Sequence, residues 1–92
     1  MPKYVIERGI PGVGASTGEQ LHAISCASNG VLTEMAPRVQ WVQSYVTDDK
    51  IYCVYVAEDA DAVREHASRG GFPADSVAMV RATIDPTTGE PI

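Results

Sequence analysis

The chain has 92 residues, 45% of them hydrophobic, and its seven Lys and Arg residues against twelve Asp and Glu residues give a formal net charge of −5. This length predicts one domain, residues 1–92, with a small core, and the acidic balance argues against nucleic acid as a partner. No apolar run approaches the length of a membrane span and no secretion leader precedes the first strand pattern, so we expect a cytoplasmic protein without a membrane partner.

The first strand is predicted from Lys3 to Arg8, because this segment is rich in residues that favour strands. Residues 9–14 contain three glycines and a proline, which mark a loop. A glycine-rich loop can bind phosphate through its amides, but no Lys-Ser or Lys-Thr follows, and the spacing is not that of a dinucleotide fingerprint. We therefore interpret residues 9–14 as a plain connection.

The first helix is predicted from its capping signal and its apolar periodicity. Ser16 and Glu19 have the spacing of a capping box, so the helix begins near Thr17 and stops before Pro37. Asn29-Gly30 is either a kink in this helix or its end. The face that packs on the sheet is formed by residues at three- and four-residue steps: Leu21, Ile24, Ser28, Leu32 and Met35.

His22 and Cys26 lie one turn apart on this helix and point away from its apolar face. Such an i, i+4 pair has the geometry to bind a soft or borderline metal at the helix surface, with Glu19 nearby. Two ligands rarely hold a metal alone, so the alternative is a polar helix face that carries a small thiol.

A β-hairpin is predicted from Trp41 to Ala57. The segment alternates like a strand, breaks at Asp48-Asp49, and resumes with β-branched and aromatic residues. A two-residue turn at Asp48-Asp49 would place three pairs of residues opposite one another: Ser44 and Cys53, Tyr45 and Tyr52, Val42 and Tyr55. A three-residue turn would change this pairing.

The two-residue turn gives the hairpin two distinct faces. The face expected under the helices has the smaller side chains and the cysteine: Val42, Ser44, Val46, Ile51, Cys53 and Tyr55. The other face is expected to meet a second subunit or a ligand, because it carries bulky amphipathic rings and an amide: Trp41, Gln43, Tyr45, Tyr52, Val54 and Val56.

A second helix is predicted after the hairpin. Glu58 and Asp59 open it, where acidic residues favour the helix dipole, and Gly70-Gly71 ends it. Glu65 points outward, and His66 lies near the edge of the inner stripe, which is formed by Ala60, Val63 and Ala67.

The last predicted elements are a strand from Ser76 to Ile84 and a loose tail at residues 85–92. The order of elements is therefore βαββαβ, the α+β ferredoxin-like plan, in which an antiparallel four-stranded sheet carries both helices on one face. Its other face is uncovered, and a small chain gains stability by covering it. We expect a homodimer or a higher homo-oligomer that pairs through the aromatic face of the hairpin.

Five short segments in the middle of the chain form a recognisable set: Trp41-x-x-Ser44-Tyr45-Val46, Asp49-Lys50, Cys53-x-Tyr55, Arg64-Glu65-His66-Ala67 and Gly71-Phe72-Pro73. This set resembles the signature of a small bacterial domain-of-unknown-function family, which has a ferredoxin-like fold and includes a nickel-binding, nickel-responsive protein. The resemblance runs from Tyr4 to the fourth strand and leaves out the last eight residues. It implies a dimeric, metal-associated cytoplasmic protein with nickel as the suspected metal, and it implies no reaction. His22 and Cys26 lie outside these segments.

The chemistry of the side chains is compatible with nickel or another divalent transition metal, because imidazole, thiolate and carboxylate all bind such ions. One hypothesis is a site that uses His66 and Cys53, helped by a carboxylate or by a second subunit. A closed zinc-finger site is excluded, since the spacings it needs are missing. Alternatively, Cys53 is a buried small hydrophobe and His66 bonds a backbone carbonyl, a Tyr hydroxyl or Ser44.

Because of the resemblance, we predict a non-enzymatic protein that binds a divalent transition metal, with nickel as the leading candidate, and we keep two alternatives. A cofactor-free enzyme of oxygenase or isomerase type would enclose a pocket between helices and sheet, with His66 as general base or Cys53 as nucleophile. A plain interaction module would bind only itself. The candidate ligand-binding or interface residues are Trp41, Ser44, Tyr45, Tyr52, Tyr55 and Glu65.

Overall fold

The computed structural model describes residues 1–91. Within them, the sheet has the order β2-β3-β1-β4 and every neighbouring pair is antiparallel. Both helices pack on one side of it, so the predicted ferredoxin-like α+β fold is confirmed. None of the helices in this part of the chain is long and apolar enough to cross a membrane. The elements are β1 (Lys3–Gly9), α1 (Gly18–Met35), β2 (Val39–Val46), β3 (Lys50–Ala57), α2 (Ala60–Gly70) and β4 (Ser76–Met79).

The core lies between the helices and the inner sheet face, and strand alternation decides which side chains reach it. Every second residue of β1 and β3 is buried, which is the period expected for a sheet covered on one side. These strands run side by side, with Ile6 opposite Cys53 and Tyr4 opposite Tyr55. The buried hydrophobic residues are Tyr4, Ile6, Val13, Met35, Val39, Ile51, Cys53, Tyr55, Ala57, Ala62, Val63 and Ala67.

The start of α1 differs by one residue from the predicted capping box of Ser16 and Glu19. The Thr17 hydroxyl accepts from the Gln20 amide at 3.1 Å, and the Gln20 side chain accepts from the Thr17 amide at 2.9 Å. The Ser16 amide instead donates to the Val13 carbonyl and closes a 3-10 turn. Helix α1 then continues without a break through Asn29-Gly30 to Met35.

The glycine-rich loop packs on the turn of the hairpin, which explains its composition. The amides of Ile10 and Gly14 donate to the carbonyls of Asp49 and Asp48, each at 2.9 Å, and the Gly12 amide donates to the Asp49 carboxylate. A Cβ at Gly14 would lie 2.7 Å from the Asp48 Cα. These amides are therefore already hydrogen-bonded to the hairpin turn, which supports the interpretation of the loop as a connection.

The register of the hairpin is confirmed near its turn and wrong at its far end. Ser44 pairs with Cys53 and Tyr45 with Tyr52 as predicted, but Trp41, and not Val42, pairs with Tyr55. The register shifts between Trp41 and Gln43, so Val42 is the extra residue of a β-bulge, which resets the alternation of the strand. Trp41 therefore shares the helix side of the sheet with Tyr55, and Val42 is 53% exposed.

The opposite side of the sheet, called the outer sheet face below, carries the side chains that alternate with the core. Tyr45 is 54% exposed there, and the part of the chain that the structure describes places no element over it. This face carries the apolar and aromatic side chains of Val5, Tyr45, Tyr52, Val54 and Val56, together with the polar side chains of Lys3, Glu7 and Gln43.

The C-terminal half differs from prediction in the environment of one residue and the length of one strand. His66 is fully buried at the centre of the inner face of α2, because α1 and two aromatic rings cover it. Strand β4 ends at Met79 and not at Ile84. The segment Pro86–Gly89 forms an exposed 3-10 turn that Asp85 caps.

Candidate functional site

A pocket of about 150 Å³ opens between α1 and the inner sheet face. Most of its wall is apolar, with hydroxyl groups, one thiol and one guanidinium among the lining groups. Small-molecule sites have this composition, in which an apolar wall carries a few convergent polar groups. The lining residues are Arg8, Ile10, Leu21, Ile24, Ser25, Ser28, Trp41, Ser44, Val46, Ile51, Cys53, Tyr55 and Phe72.

Arg8 is the charged group of this pocket and is only 3% exposed. Its Nε donates to Cys53 Sγ at 3.4 Å, one Nη to the Pro73 carbonyl at 2.5 Å and the other to the Tyr55 hydroxyl at 3.3 Å. The guanidinium also lies over the rings of Tyr55 and Phe72, 5.9 and 5.6 Å from their centroids. Arg8 is thus fixed in orientation by neutral groups and ring faces.

His66 lies behind the pocket wall, between α2, α1 and β3. Its Nε2 is 3.1 Å from the Ser28 hydroxyl, and its ring packs against Tyr55 and Phe72 with centroids 5.2 and 5.9 Å away. Within residues 1–91 its Nδ1 has no hydrogen-bond partner. Burial, followed by the positive charge of Arg8, lowers the pKa of His66, so the neutral imidazole is favoured. The observed partner is the Ser28 hydroxyl, and not the backbone carbonyl, Tyr hydroxyl or Ser44 hydroxyl that the sequence suggested.

Tyr55 joins the two groups, since its hydroxyl accepts from Arg8 and its ring packs on His66. Burial raises the pKa of the Tyr55 phenol and the nearby Cys53 acts in the same direction, whereas Arg8 opposes both. The phenol therefore keeps its proton at neutral pH and can donate a hydrogen bond.

The predicted metal site of Cys53 and His66 finds little support in this geometry. Cys53 is hydrogen-bonded to Arg8, and His66 is hydrogen-bonded to Ser28. Within residues 1–91 no three His, Cys, Asp or Glu side chains lie close enough together to hold a metal. The guanidinium beside Cys53 would also repel a metal cation. A Cys53 nucleophile activated by His66 would need a direct hydrogen bond, and the described residues do not form one.

His22 and Cys26 form a second pair of donors on the exposed side of α1. Their Nε2 and Sγ atoms are 3.4 Å apart, and both residues are exposed. On zinc, imidazole nitrogen and thiolate sulfur stand about 2.0–2.1 and 2.3 Å from the metal, which places the two donors roughly 3.1–3.6 Å apart. The pair already has the spacing of two ligands of one ion.

The other candidate residues fall on different surfaces. Trp41 and Ser44 line the pocket, where the indole donates to the Ser44 hydroxyl at 2.9 Å. Tyr45 and Tyr52 lie on the outer sheet face. Glu65 lies on the surface of α2 in an ion-pair network, 3.1 Å from Arg38 and 2.7 Å from Arg69.

Sequence reasoning missed Arg8, Ser28 and Phe72 as members of the site. A signal existed for Arg8, because it continues the period-two series of Tyr4 and Ile6 and therefore had to face the core. Ser28 was placed on the inner face of α1 but was not connected to His66. Their meeting depends on the packing of α1 against α2, for which local periodicity gives no distance.

Comparisons with known proteins agree with this architecture. A family model described as nickel responsive protein SCO4226-like matches residues 4–80, which include both helices and nearly the whole sheet. Among solved structures, the chain is similar to SCO4226 from Streptomyces coelicolor A3(2), with 26% sequence identity, a TM-score of 0.74, and coverage of 89% of this chain and 99% of that chain. No curated protein matches the chain.

Proposed function

The chain belongs to the SCO4226-like family of nickel responsive proteins, and we propose that it binds Ni²⁺ through His22 and Cys26. The observation that supports this proposal is the 3.4 Å separation of Nε2 and Sγ on an exposed helix face. Both residues can be reached by an ion from solution without opening the core.

The chemistry of this pair suits nickel better than that of Cys53 and His66. A neutral imidazole and a thiolate supply two strong donors to a borderline divalent ion. No arginine or lysine is bonded to either residue among residues 1–91, whereas Arg8 lies directly against Cys53. The positions that two side chains leave open on Ni²⁺ are available to water and to Glu19, which is exposed one turn earlier on α1.

The proposal also includes a homodimer that pairs through the outer sheet face. Apolar and aromatic side chains lie on this face, and Tyr45 and Val5 are 54% and 37% exposed. Helix α1 lies on the other side of the sheet, so pairing through the outer face would leave the nickel ligands accessible. The exposed Cys26 and the buried Cys53 are both free thiols, which agrees with a reducing, cytoplasmic location.

The proposal is tested by calorimetric titration of the metal-free protein with Ni²⁺ and with Zn²⁺. We expect His22→Ala and Cys26→Ser each to weaken nickel binding by at least about 100-fold, since loss of even an outer-shell partner costs about 10–100-fold. Cys26→Ser should also remove the thiolate-to-nickel absorption band, which reports directly on the sulfur ligand.

His66→Gln and Cys53→Ser are the matched controls, because they change the same two residue types in the interior. Both should keep nickel binding, provided that circular dichroism shows the native fold. Loss of binding only in the interior variants would place the metal at Cys53 and His66 instead, and an intact protein that binds no nickel would contradict the proposal.

A further inference from the structure

The buried charge of Arg8 has no acidic partner in the described part of the chain. Its three hydrogen bonds go to a thiol, a carbonyl and a phenol, and among residues 1–91 no carboxylate forms an ion pair with it. A buried charge is costly unless an opposite charge or several hydrogen bonds compensate it. The pocket therefore contains one positive charge that no anionic side chain among residues 1–91 balances.

The guanidinium also keeps unused hydrogen-bonding capacity. A guanidinium has five N–H groups, and the three bonds of Arg8 use the Nε and one proton on each Nη nitrogen. One N–H on each Nη nitrogen remains. Two N–H groups of one guanidinium can bind both oxygens of a carboxylate, which is among the strong hydrogen-bonded pairs in proteins.

The pocket beside Arg8 has the size and the wall of a site for a small apolar group. Its volume of about 150 Å³ matches that of a protein cavity known to take up benzene. The side chains of Leu21, Ile24, Trp41 and Phe72 contribute apolar and aromatic surface to the wall. Ile24, which was predicted on the inner face of α1, lines the pocket and is 36% exposed.

We propose that this pocket binds a small monocarboxylate with an apolar body of about the size of a benzene ring, whose carboxylate pairs with Arg8. This site is separate from the proposed nickel ligands, which lie on the exposed face of α1. A phosphate ester fits less well, because a doubly charged group needs more donors than one guanidinium and a few hydroxyls supply.

Neighbouring groups add to the recognition of the carboxylate. The Ser44 hydroxyl lines the pocket, accepts from the Trp41 indole and keeps its own proton to donate. The Tyr55 hydroxyl also lines the pocket, accepts from Arg8 and has the Ser28 hydroxyl beside it. Arg8 is already held in place by its three bonds, so a ligand would not have to immobilise it, which favours affinity.

The chain contains a single tryptophan, and Trp41 lines the pocket, so its fluorescence reports on the site directly. We would titrate the intact protein with benzoate and record Trp41 fluorescence together with the heat of binding. Benzyl alcohol and benzylamine, which share the ring but are neutral and cationic, are the matched ligands. We expect a saturable change with benzoate and affinities for the other two that are lower by about tenfold or more.

Arg8→Met removes the charge at a similar side-chain length and should lower the affinity for benzoate by about tenfold or more, to that of benzyl alcohol. Arg64→Met, at an exposed arginine of α2, is the matched control and should bind benzoate like the native protein. Equal binding of benzoate and benzyl alcohol to the native protein would overturn the proposal, even if Arg8→Met fails to fold. The proposal would also be overturned if the native protein bound no benzoate and the Cys26→Ser variant showed the ultraviolet absorbance of a Cys53 thiolate. Cys53 would then be the counterion of Arg8.

Discussion

At the scale of single residues, Arg8 and His66 show how one buried cluster contains two polar side chains with different roles. Arg8 is held by three hydrogen bonds and faces the pocket, whereas His66 has one bonded nitrogen and one buried nitrogen without a partner among residues 1–91. The cation is close enough to disfavour protonation of the imidazole. The cluster therefore keeps one positive charge and one neutral ring.

The lowered pKa of His66 predicts a dependence of stability on pH. An unfolded histidine titrates near about 6.5, so as the pH falls the unfolded chain takes up this proton before the folded protein does. The free energy of unfolding should therefore decrease as the pH drops below about 6.5, and this decrease should end once the pH passes the folded-state pKa. The slope contributed by His66 is limited to about 1.4 kcal/mol per pH unit, the value for one proton.

Urea unfolding between about pH 5 and pH 8 measures this effect. The groups that face the histidine are Arg8 from β1, Ser28 from α1 and Tyr55 from β3. His66→Gln should lack the slope, and His22→Gln, at an exposed position of α1, should keep it. An equal slope in the native protein and in His66→Gln would show that other groups cause the dependence.

At the scale of elements, the loop after β1 and the turn of the hairpin stabilise each other. The amides of Ile10, Gly12 and Gly14 all donate to Asp48 or Asp49, so the turn of the hairpin is bonded to the chain that leads into α1. This contact places α1 beside the mouth of the pocket. It also explains the aspartate at position 49, because the Asp49 carboxylate accepts from the Gly12 amide.

Substitution of two glycines should change stability in opposite directions. Gly14→Ala should destabilise the protein by about 1–3 kcal/mol, since its Cβ would lie 2.7 Å from the Asp48 Cα and 2.8 Å from the Thr47 carbonyl oxygen. Gly30→Ala should stabilise it by up to about 1 kcal/mol, because this glycine lies inside α1 with open space where a Cβ would be. Thermal and urea unfolding would measure both.

A stabilising effect of Gly14→Ala would mean that the loop is not packed on the hairpin turn. A destabilising effect of Gly30→Ala would mean that α1 bends or breaks at Asn29-Gly30, as one alternative from the sequence allowed. Gly14→Ala thus tests the contact between the loop and the hairpin turn, and Gly30→Ala tests the continuity of α1.

At the scale of the whole molecule, the sheet covers the core with one face and leaves the other open. The outer sheet face includes the exposed Tyr45 and Val5, and a second copy of the chain would bury them. A stable protein interface buries about 800 Å² on each partner. A four-stranded face with this chemistry is the part of the described chain best suited to provide such an area.

The proposed dimer predicts that a lysine on the outer sheet face weakens self-association. Tyr45→Lys and Val54→Lys should each raise the dissociation constant of the dimer by about 30-fold or more, because they place a charge in an apolar contact. Sedimentation velocity over a range of protein concentrations would measure this. Thr33→Lys, on the exposed side of α1, is the control and should leave the association unchanged. A native protein that sediments as a monomer at high concentration would contradict the dimer.

Several features of the fold are determined by short segments of the chain. The order of the elements, the hairpin turn, the inner face of β1 and the outward position of His22 and Cys26 all follow from periods of two or 3.6 residues, which any short segment displays by itself. The ends of elements do not follow from periodicity, because Thr17 competes with its neighbour Ser16 for the cap and β4 ends where its pairing with β1 ends.

The tertiary structure alone decided which side chains meet. The bulge at Val42 turns Trp41 toward the helices. No residue pattern predicts this bulge, because it depends on how two strands and the layer above them fit together. The burial of His66 depends on the approach of α1, and the pocket around Arg8 depends on β1, β3 and the chain after α2 converging on one point. The sequence by itself thus determined the kind and order of the elements and the exposed side of α1, because these follow from local periodicity, whereas contacts between residues 38 to 65 positions apart determined the site.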